Sequence, residues 1–293
     1  MNTNNNFYTV IYTTVIVVLV AAVLAFVSQS LKSRQEANEK ADTISQMLTA
    51  AAFGTKAEFQ AMGNAAVLEK YGEEIELAFT IDAEGNKTSD LDIESRQVYS
   101  PAELKKLNYI IKGKQQGDID LPVFVFKNNV TVVPVYGAGL WGPVWGYIAF
   151  EPDMKTIAGA YFDHESETAG LGAKIKDDPE FQHEFTGEQA DFGSSNVFDI
   201  VKGGAPKDAE GKSVIDNKID AITGATMTSK GLEEAIDTWL GAYAKYFLAR
   251  AEAAGGDCCG EAVMSCCAEG EMTGCSNGGE KEAGCCDTKN EEE

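Results

Sequence analysis

The stretch AITGATMTSKG, residues 221–231, concentrates the side chains best suited to chemistry in this chain. Thr223, Thr226 and Thr228 fall within six positions, with Gly224 among them and Ser229 directly after. Leu232, Ala235, Ile236, Trp239, Leu240 and Tyr243 then recur at i, i+3, i+4, i+7, i+8 and i+11, the spacing of one apolar helix face. The hydroxyls therefore stand at a helix entrance. Unpaired N–H groups and the positive end of the helix dipole favour an anion there. Gly224 lets another group approach the backbone closely. The set suits a phosphate. A redundant N-cap accounts for the same composition, since Ser and Thr are preferred at that position. No capping box forms on Ser229, because Leu232 rather than Glu lies three residues beyond it.

The elements that must position these residues are legible on either side. LPVFVF, VTVVPVY, WGYIAFE and TIAGAYFD, between Leu121 and Asp163, are short runs rich in β-branched and aromatic residues. NN, GAGLWG and PDMK separate them as turns, which predicts a mostly antiparallel meander. FDIVKG near residue 200 is a candidate further strand. With the patterned helix packed on the sheet, the fold class is α+β, without internal repeats. Upstream, residues 35–52 have the rough helical spacing of a stalk, and TKAEFQAMGNAAVLEKYG reads as one or two short helices. IELAFTID reads as a strand running into the turn AEGN, whereas residues 86–120 are polar and carry no clear assignment.

Residues 7–27, FYTVIYTTVIVVLVAAVLAFV, carry no charge. As a helix they extend about 31 Å, matching a hydrocarbon core of roughly 30 Å. A cleaved signal peptide has a basic start and a shorter apolar stretch, and MNTNNN has no basic residue. The segment is expected to be a permanent anchor. Lys32, Arg34 and Lys40 follow it and no Lys or Arg precedes it, so the local charge bias alone places the body in the cytoplasm.

The net charge of −22 argues against binding nucleic acid through a broad basic face. Residues 251–293 hold eleven acidic and two basic side chains, −9 of that total, leaving −13 on the body. All seven cysteines lie between Cys258 and Cys286, so the body has neither a disulfide framework nor a cysteine metal site. Three adjacent pairs plus Cys275 do not match structural zinc spacing. The tail could bind soft metals, form disulfides, or be an inert acidic extension, and its composition predicts disorder. His164 and His183, nineteen residues apart, make no zinc-hydrolase pattern and read as surface histidines, with His164 a candidate ligand contact. Trp141, Trp145 and Trp239 read as packing residues. No Gly-rich dinucleotide fingerprint or P-loop is present, so the chain is not expected to bind NADH itself.

DAITGATMTS resembles the D-x-x-S/T-G-A-T signature of flavin-binding domains in which FMN is esterified through its phosphate to a threonine. The matching positions are Asp220, Thr223, Gly224, Ala225 and Thr226. The resemblance implies that Thr226 is the attachment residue, that Thr228 and its neighbours cradle the phosphate, and that Asp220 belongs to the sequence read by a separate flavin transferase. HESETAGLG, residues 164–172, is similar to a family loop ending T-P-G-L-G that lies beside the isoalloxazine ring; here Ala169 replaces the proline. That implies ring contacts from Thr168, Leu171 and Gly172. YGAGLWGPVWGY and KGGAP resemble, more narrowly, the C subunits of the sodium-translocating NADH:quinone oxidoreductases. The flavin subunit of the ion-translocating Rnf complex ranks second. The resemblance, over most of residues 120–247, implies an electron-transfer subunit with covalent FMN, part of an NADH:quinone reductase (Na+-transporting) translocase and not catalytic alone. Its partners would be the other subunits of the complex and the inner membrane, which it crosses once. It implies a periplasmic flavin domain, against the local charge bias.

The expected organisation is a short N-terminus at 1–6, a transmembrane helix at 7–27, and a stalk helix with the start of the soluble domain at 28–119. An antiparallel-sheet FMN-binding domain with packed helices follows at 120–250, then the acidic Cys-rich tail at 251–293. The competing class is a membrane-anchored soft-metal-binding protein acting through that tail.

Overall fold

A computed structural model describes residues 6–194, 196–203 and 216–256. The cysteine pairs of the tail and the GAP of KGGAP lie outside the described residues. Helix α1 (Asn6–Ala50) is one unbroken helix, so the expected span and stalk are continuous. An 18-residue stretch of it has a mean hydropathy of 2.9 and none of that stretch is buried in the molecule, making the helix long and apolar enough to cross a membrane. From Ala41 the same helix is buried, with Ile44, Met47 and Leu48 fully covered.

Two short helices follow. α2 (Lys56–Met62) starts at a reciprocal Thr55–Glu58 capping box, and α3 (Asn64–Glu74) follows it directly. β1 (Ile75–Ile81) then leads into a segment that the sequence pattern left unassigned. That segment contains β2 (Lys87–Asp90) and α4 (Pro101–Ile111). The helix opens with a Ser100–Glu103 capping box and Pro101 at its first position, a start signal that its polar surroundings obscured.

The meander forms as its hydrophobic runs predict: β3 (Leu121–Phe126), β4 (Thr131–Ala138), β5 (Pro143–Phe150) and β6 (Ile157–His164). Two short helices, α5 (Lys174–Asp177) and α6 (Pro179–His183), follow it. β1 joins the free edge of β3, and the six-stranded antiparallel order is β2-β1-β3-β4-β5-β6. Both faces are covered, which is why the strands read as continuous apolar runs rather than alternating ones. On one face Val133, Val135, Ile148, Phe150 and Phe162 pack with Leu104 of α4 and with α7 (Thr226–Gly256). On the other, Phe124, Phe126, Tyr147 and Tyr161 pack with Ile44 and Met47 of α1 and Tyr71 of α3. The six residues of the predicted helix face, Leu232 to Tyr243, are all 0% exposed. FDIVKG does contain a strand, β7 (Asp199–Val201), but outside the meander. It pairs in parallel with β8 (Lys218–Asp220).

Two contacts fix the site's neighbourhood. The start of α7 lies directly on the end of β4, and glycine is present on both sides. A Cβ added to Gly231 would stand 2.2 Å from the Ala138 carbonyl oxygen, and one on Gly137 would stand 2.5 Å from Ala235 Cβ. On the opposite face, Gln46 of α1 donates to Asp163 Oδ2 at 3.0 Å and accepts from Trp145 Nε1 at 3.2 Å. Lys176 pairs with the same Asp163 at 2.8 Å. Asp163 directly precedes His164, so helix α1 is tied to the root of the glycine-rich loop.

Candidate functional site

Helix α7 begins at Thr226. Its first i→i−4 bond runs from the Ser229 N–H to the Ala225 carbonyl at 2.9 Å, which makes Ala225 the cap residue. Alanine has no side-chain acceptor. Among the described residues, the N–H groups of Thr226, Met227 and Thr228 have no acceptor. A chain crowded with hydroxyls thus leaves its helix start uncapped, with three amide donors open to another acceptor.

The hydroxyls divide into two groups. Thr228 and Ser229 are each 1% exposed and serve the interior. Thr228 Oγ1 donates to Glu167 Oε2 at 2.7 Å, and Ser229 Oγ accepts from the Ile222 N–H at 3.2 Å. Thr223 is exposed and Thr226 half-buried, and neither hydroxyl has a partner among the described residues. Gly224 between them has φ +82°, a left-handed conformation that glycine adopts without cost. Asp220 ends β8, half-buried, with its N–H directed at a Glu184 carboxylate oxygen at 3.3 Å. That strand is held to α7 through β7: Glu233 accepts from the Ile200 N–H at 2.8 Å and Asp237 from the Phe198 N–H at 3.0 Å. Burial pushes the Asp237 carboxyl above the usual range, against the lowering effect of its bonds to the Phe198 and Val197 amides.

The loop after β6 comes to the same place. Gly224 leaves room for Leu171, whose Cδ2 is 3.0 Å from where a Cβ on Gly224 would be. Thr168 and Leu171 are exposed and Gly172 is buried. The Thr168 carbonyl accepts from the Leu171 and Ala173 amides at 3.1 Å, closing a tight loop with Gly170 at φ +74°. The turn between β4 and β5 completes the surround. Ser166 donates to the Trp141 carbonyl at 3.0 Å, and the Trp141 N–H donates to Glu167 Oε1 at 2.9 Å. Leu140, Trp141, Leu171 and Met227 are all exposed large apolar side chains on these three segments.

Two readings are corrected by this geometry. Trp141 is 68% exposed and so is no packing residue, unlike the fully buried Trp239. His164 is half-buried: its Nδ1 accepts from the Glu167 N–H at 3.1 Å, and its Nε2 is buried without a partner among the described residues. His183 lines a separate concavity with Lys56, Tyr161 and Lys176. Sequence reasoning passed over Glu167, which bonds to residues of all three segments. No spacing rule marks a lone acidic residue. Its one sequence signal is its place between His164 and the glycine-rich run.

The chain's residues 139–241 match the family model of the FMN-binding domain. The C subunit of the Na(+)-translocating NADH-quinone reductase of Vibrio anguillarum is 32% identical over 133 residues, 45% of this chain and 49% of that protein. Its counterpart from Haemophilus ducreyi is 34% identical over 115 residues, 39% of this chain and 42% of that one. The match spans about half the length of these curated relatives. Two crystal structures share the fold more completely. The same subunit from Parabacteroides distasonis superimposes with a TM-score of 0.57 at 30% identity, over 74% of this chain and 96% of that one. NqrC from Shewanella oneidensis does so with a TM-score of 0.54 at 26% identity, over 74% and 99%. The matched residues 139–241 take in the β4–β5 turn, the glycine-rich loop and the first turns of α7, and the chain belongs to the NqrC family, the C subunits of the Na(+)-translocating NADH-quinone reductases.

Proposed function

We propose that this chain is the FMN-carrying electron-transfer subunit of a membrane-bound Na+-translocating NADH:quinone oxidoreductase, with the FMN phosphate esterified to Thr226. The observation that carries this reading is the Thr226 hydroxyl. It is partly accessible, has no partner among the described residues, and sits at the first position of a helix whose first three amides lack acceptors. Those amides and the helix dipole would stabilise the remaining phosphate charge. Thr223 offers a further hydroxyl, and Gly224 lets the phosphate approach the backbone. Gly172 is buried and makes room for Glu167 and Thr228. Leu171, Met227, Leu140 and Trp141 would give a flat aromatic ring apolar cover that their present exposure lacks.

Bound flavin supplies the redox chemistry, and the protein fixes its place and tunes its potential. A threonine hydroxyl does not attack phosphorus unaided. We therefore assign attachment to a flavin transferase that moves FMN from FAD, the threonine O–P bond forming as the pyrophosphate bond breaks and AMP leaves, with Asp220 at its recognition sequence. Asp220 lies at the end of β8, six residues before Thr226. Helix α1 would anchor the chain once in the inner membrane among the other subunits, with the flavin domain on the periplasmic side. A covalent link suits that side, since it prevents loss of the cofactor after export.

The test is expression of the full chain with a flavin transferase, followed by a denaturing gel viewed under ultraviolet light. A fluorescent band that disappears in Thr226→Ala supports the reading. A band that persists in that variant, or no band in the unaltered chain, contradicts it.

A further inference from the structure

Glu167 is 8% exposed, and both of its carboxylate oxygens accept hydrogen bonds. The donors are neutral: the Trp141 N–H at 2.9 Å and the Thr228 hydroxyl at 2.7 Å. Among the described residues no lysine or arginine pairs with it. Burying a negative charge against neutral donors alone is costly, and a fold that needed only a latch could use an uncharged side chain. The space around the carboxylate is also cleared on two sides. A Cβ on Gly139 would stand 2.4 Å from Oε1, and one on Gly172 would stand 2.4 Å from Oε2. Either glycine replaced by alanine would displace the acid. One carboxylate thus joins the β4–β5 turn, the loop bearing Leu171 and the first turn of α7, and two glycines make room for it.

We propose that Glu167 is a positioning residue for the flavin: its carboxylate clips together the three segments that surround the cofactor, and its fixed negative charge opposes the addition of electrons to the ring. The proposal rests on the reading that FMN is carried at Thr226. Thr228 lies two residues beyond that position, and Leu171 and Gly172 lie four and five residues beyond Glu167 itself. Because Glu167 is itself buried, Coulomb repulsion between its carboxylate and electrons gained by the ring is less screened than between two exposed charges. Flavin held here is therefore harder to reduce than it would be beside a neutral residue.

The experiment is a redox titration of the full-length flavinylated chain in detergent, followed through the flavin's visible absorption. Glu167→Gln keeps the shape and removes the charge. Glu167→Asp keeps the charge on a shorter arm, and Thr228→Val removes one donor and leaves the charge. The expected result is a midpoint potential moved in the positive direction in Glu167→Gln, most of that shift absent in Glu167→Asp, and a flavin more open to iodide quenching in Thr228→Val. A Glu167→Gln chain that carries flavin at the unaltered potential overturns the proposal. If that variant fails to fold or take up flavin, the Thr228→Val chain decides: unchanged quenching and unchanged potential there also overturn it. Absence of the fluorescent gel band from the unaltered chain is a different outcome, and it counts against the attachment of FMN rather than against Glu167.

Discussion

Replacing Gly231 by alanine tests the contact that sets the position of the whole site. The added Cβ would stand 2.2 Å from the Ala138 carbonyl oxygen and 3.2 Å from Gly139 Cα, both backbone atoms that no side-chain rotation can move away. A relaxed C···O approach is about 3.3 Å, so helix and strand must separate locally by about 1 Å. Overpacking of this kind costs about 1–3 kcal/mol. The better helix propensity of alanine offsets about 1 kcal/mol of it. The net expectation is a loss of about 0–2 kcal/mol. Gly241, on the same helix, has nothing within 4 Å of its added Cβ. There the propensity term acts alone, and alanine should stabilise by about 1 kcal/mol. The two substitutions are identical in chemistry and opposite in expected sign. Thermal unfolding of the full chain in detergent, followed by tryptophan fluorescence, resolves the difference, since each kcal/mol moves Tm by about 2–4 °C in a chain of this size. Equal stabilisation by both substitutions would refute the close approach of α7 to β4.

Other outcomes follow from the same structure. Trp239→Ala empties a fully buried site and removes the partner of Asn108 Oδ1, which now accepts from Trp239 Nε1 at 3.1 Å, so denaturant titration should show a loss of about 3–5 kcal/mol. Asp237, whose folded carboxyl is pushed up by burial, binds its proton more tightly folded than unfolded. Its contribution to stability is full below the normal aspartate range and is lost as pH rises through the raised value. Asp237→Asn, which mimics the protonated acid, should therefore stabilise the chain at neutral pH by no more than about 1 kcal/mol, since the group is half-exposed and screened, and the gain should vanish in acid. Melting curves across pH check the sign. Lys112→Ala breaks the Lys112–Glu234 pair at 2.7 Å between α4 and α7; with Glu234 mostly exposed, equilibrium unfolding should register a loss of about 0–1 kcal/mol.

The four strands of the meander were legible because burial on both faces forces a continuous apolar run, a signal that survives without knowledge of partners. The α7 face was legible for the equivalent helical reason. Joining β1 to β3 was not, because that pairing spans the long excursion from residue 82 to 120, and local pattern carries no information about such a partner. α4 was missed although Ser100, Pro101 and Glu103 announce its start, because its exposed lysines dilute the apolar stripe. Within the site, the motif pointed to Thr226, but the sequence treats all its hydroxyls alike. Only packing separates Thr228 and Ser229, spent on Glu167 and Ile222, from Thr223 and Thr226. Glu167 shows the same limit more strongly, since its bonds join segments whose proximity exists only in the folded chain.

The central claim is a covalent bond at one side chain, and mass spectrometry of the peptide spanning residues 221–230, taken from native membranes without overexpression, tests it most directly. The account predicts that this peptide carries the mass of FMN less one water, with fragment ions that place the addition on Thr226. A peptide found only at its unmodified mass, or with the addition on Thr223 or Thr228, would contradict it.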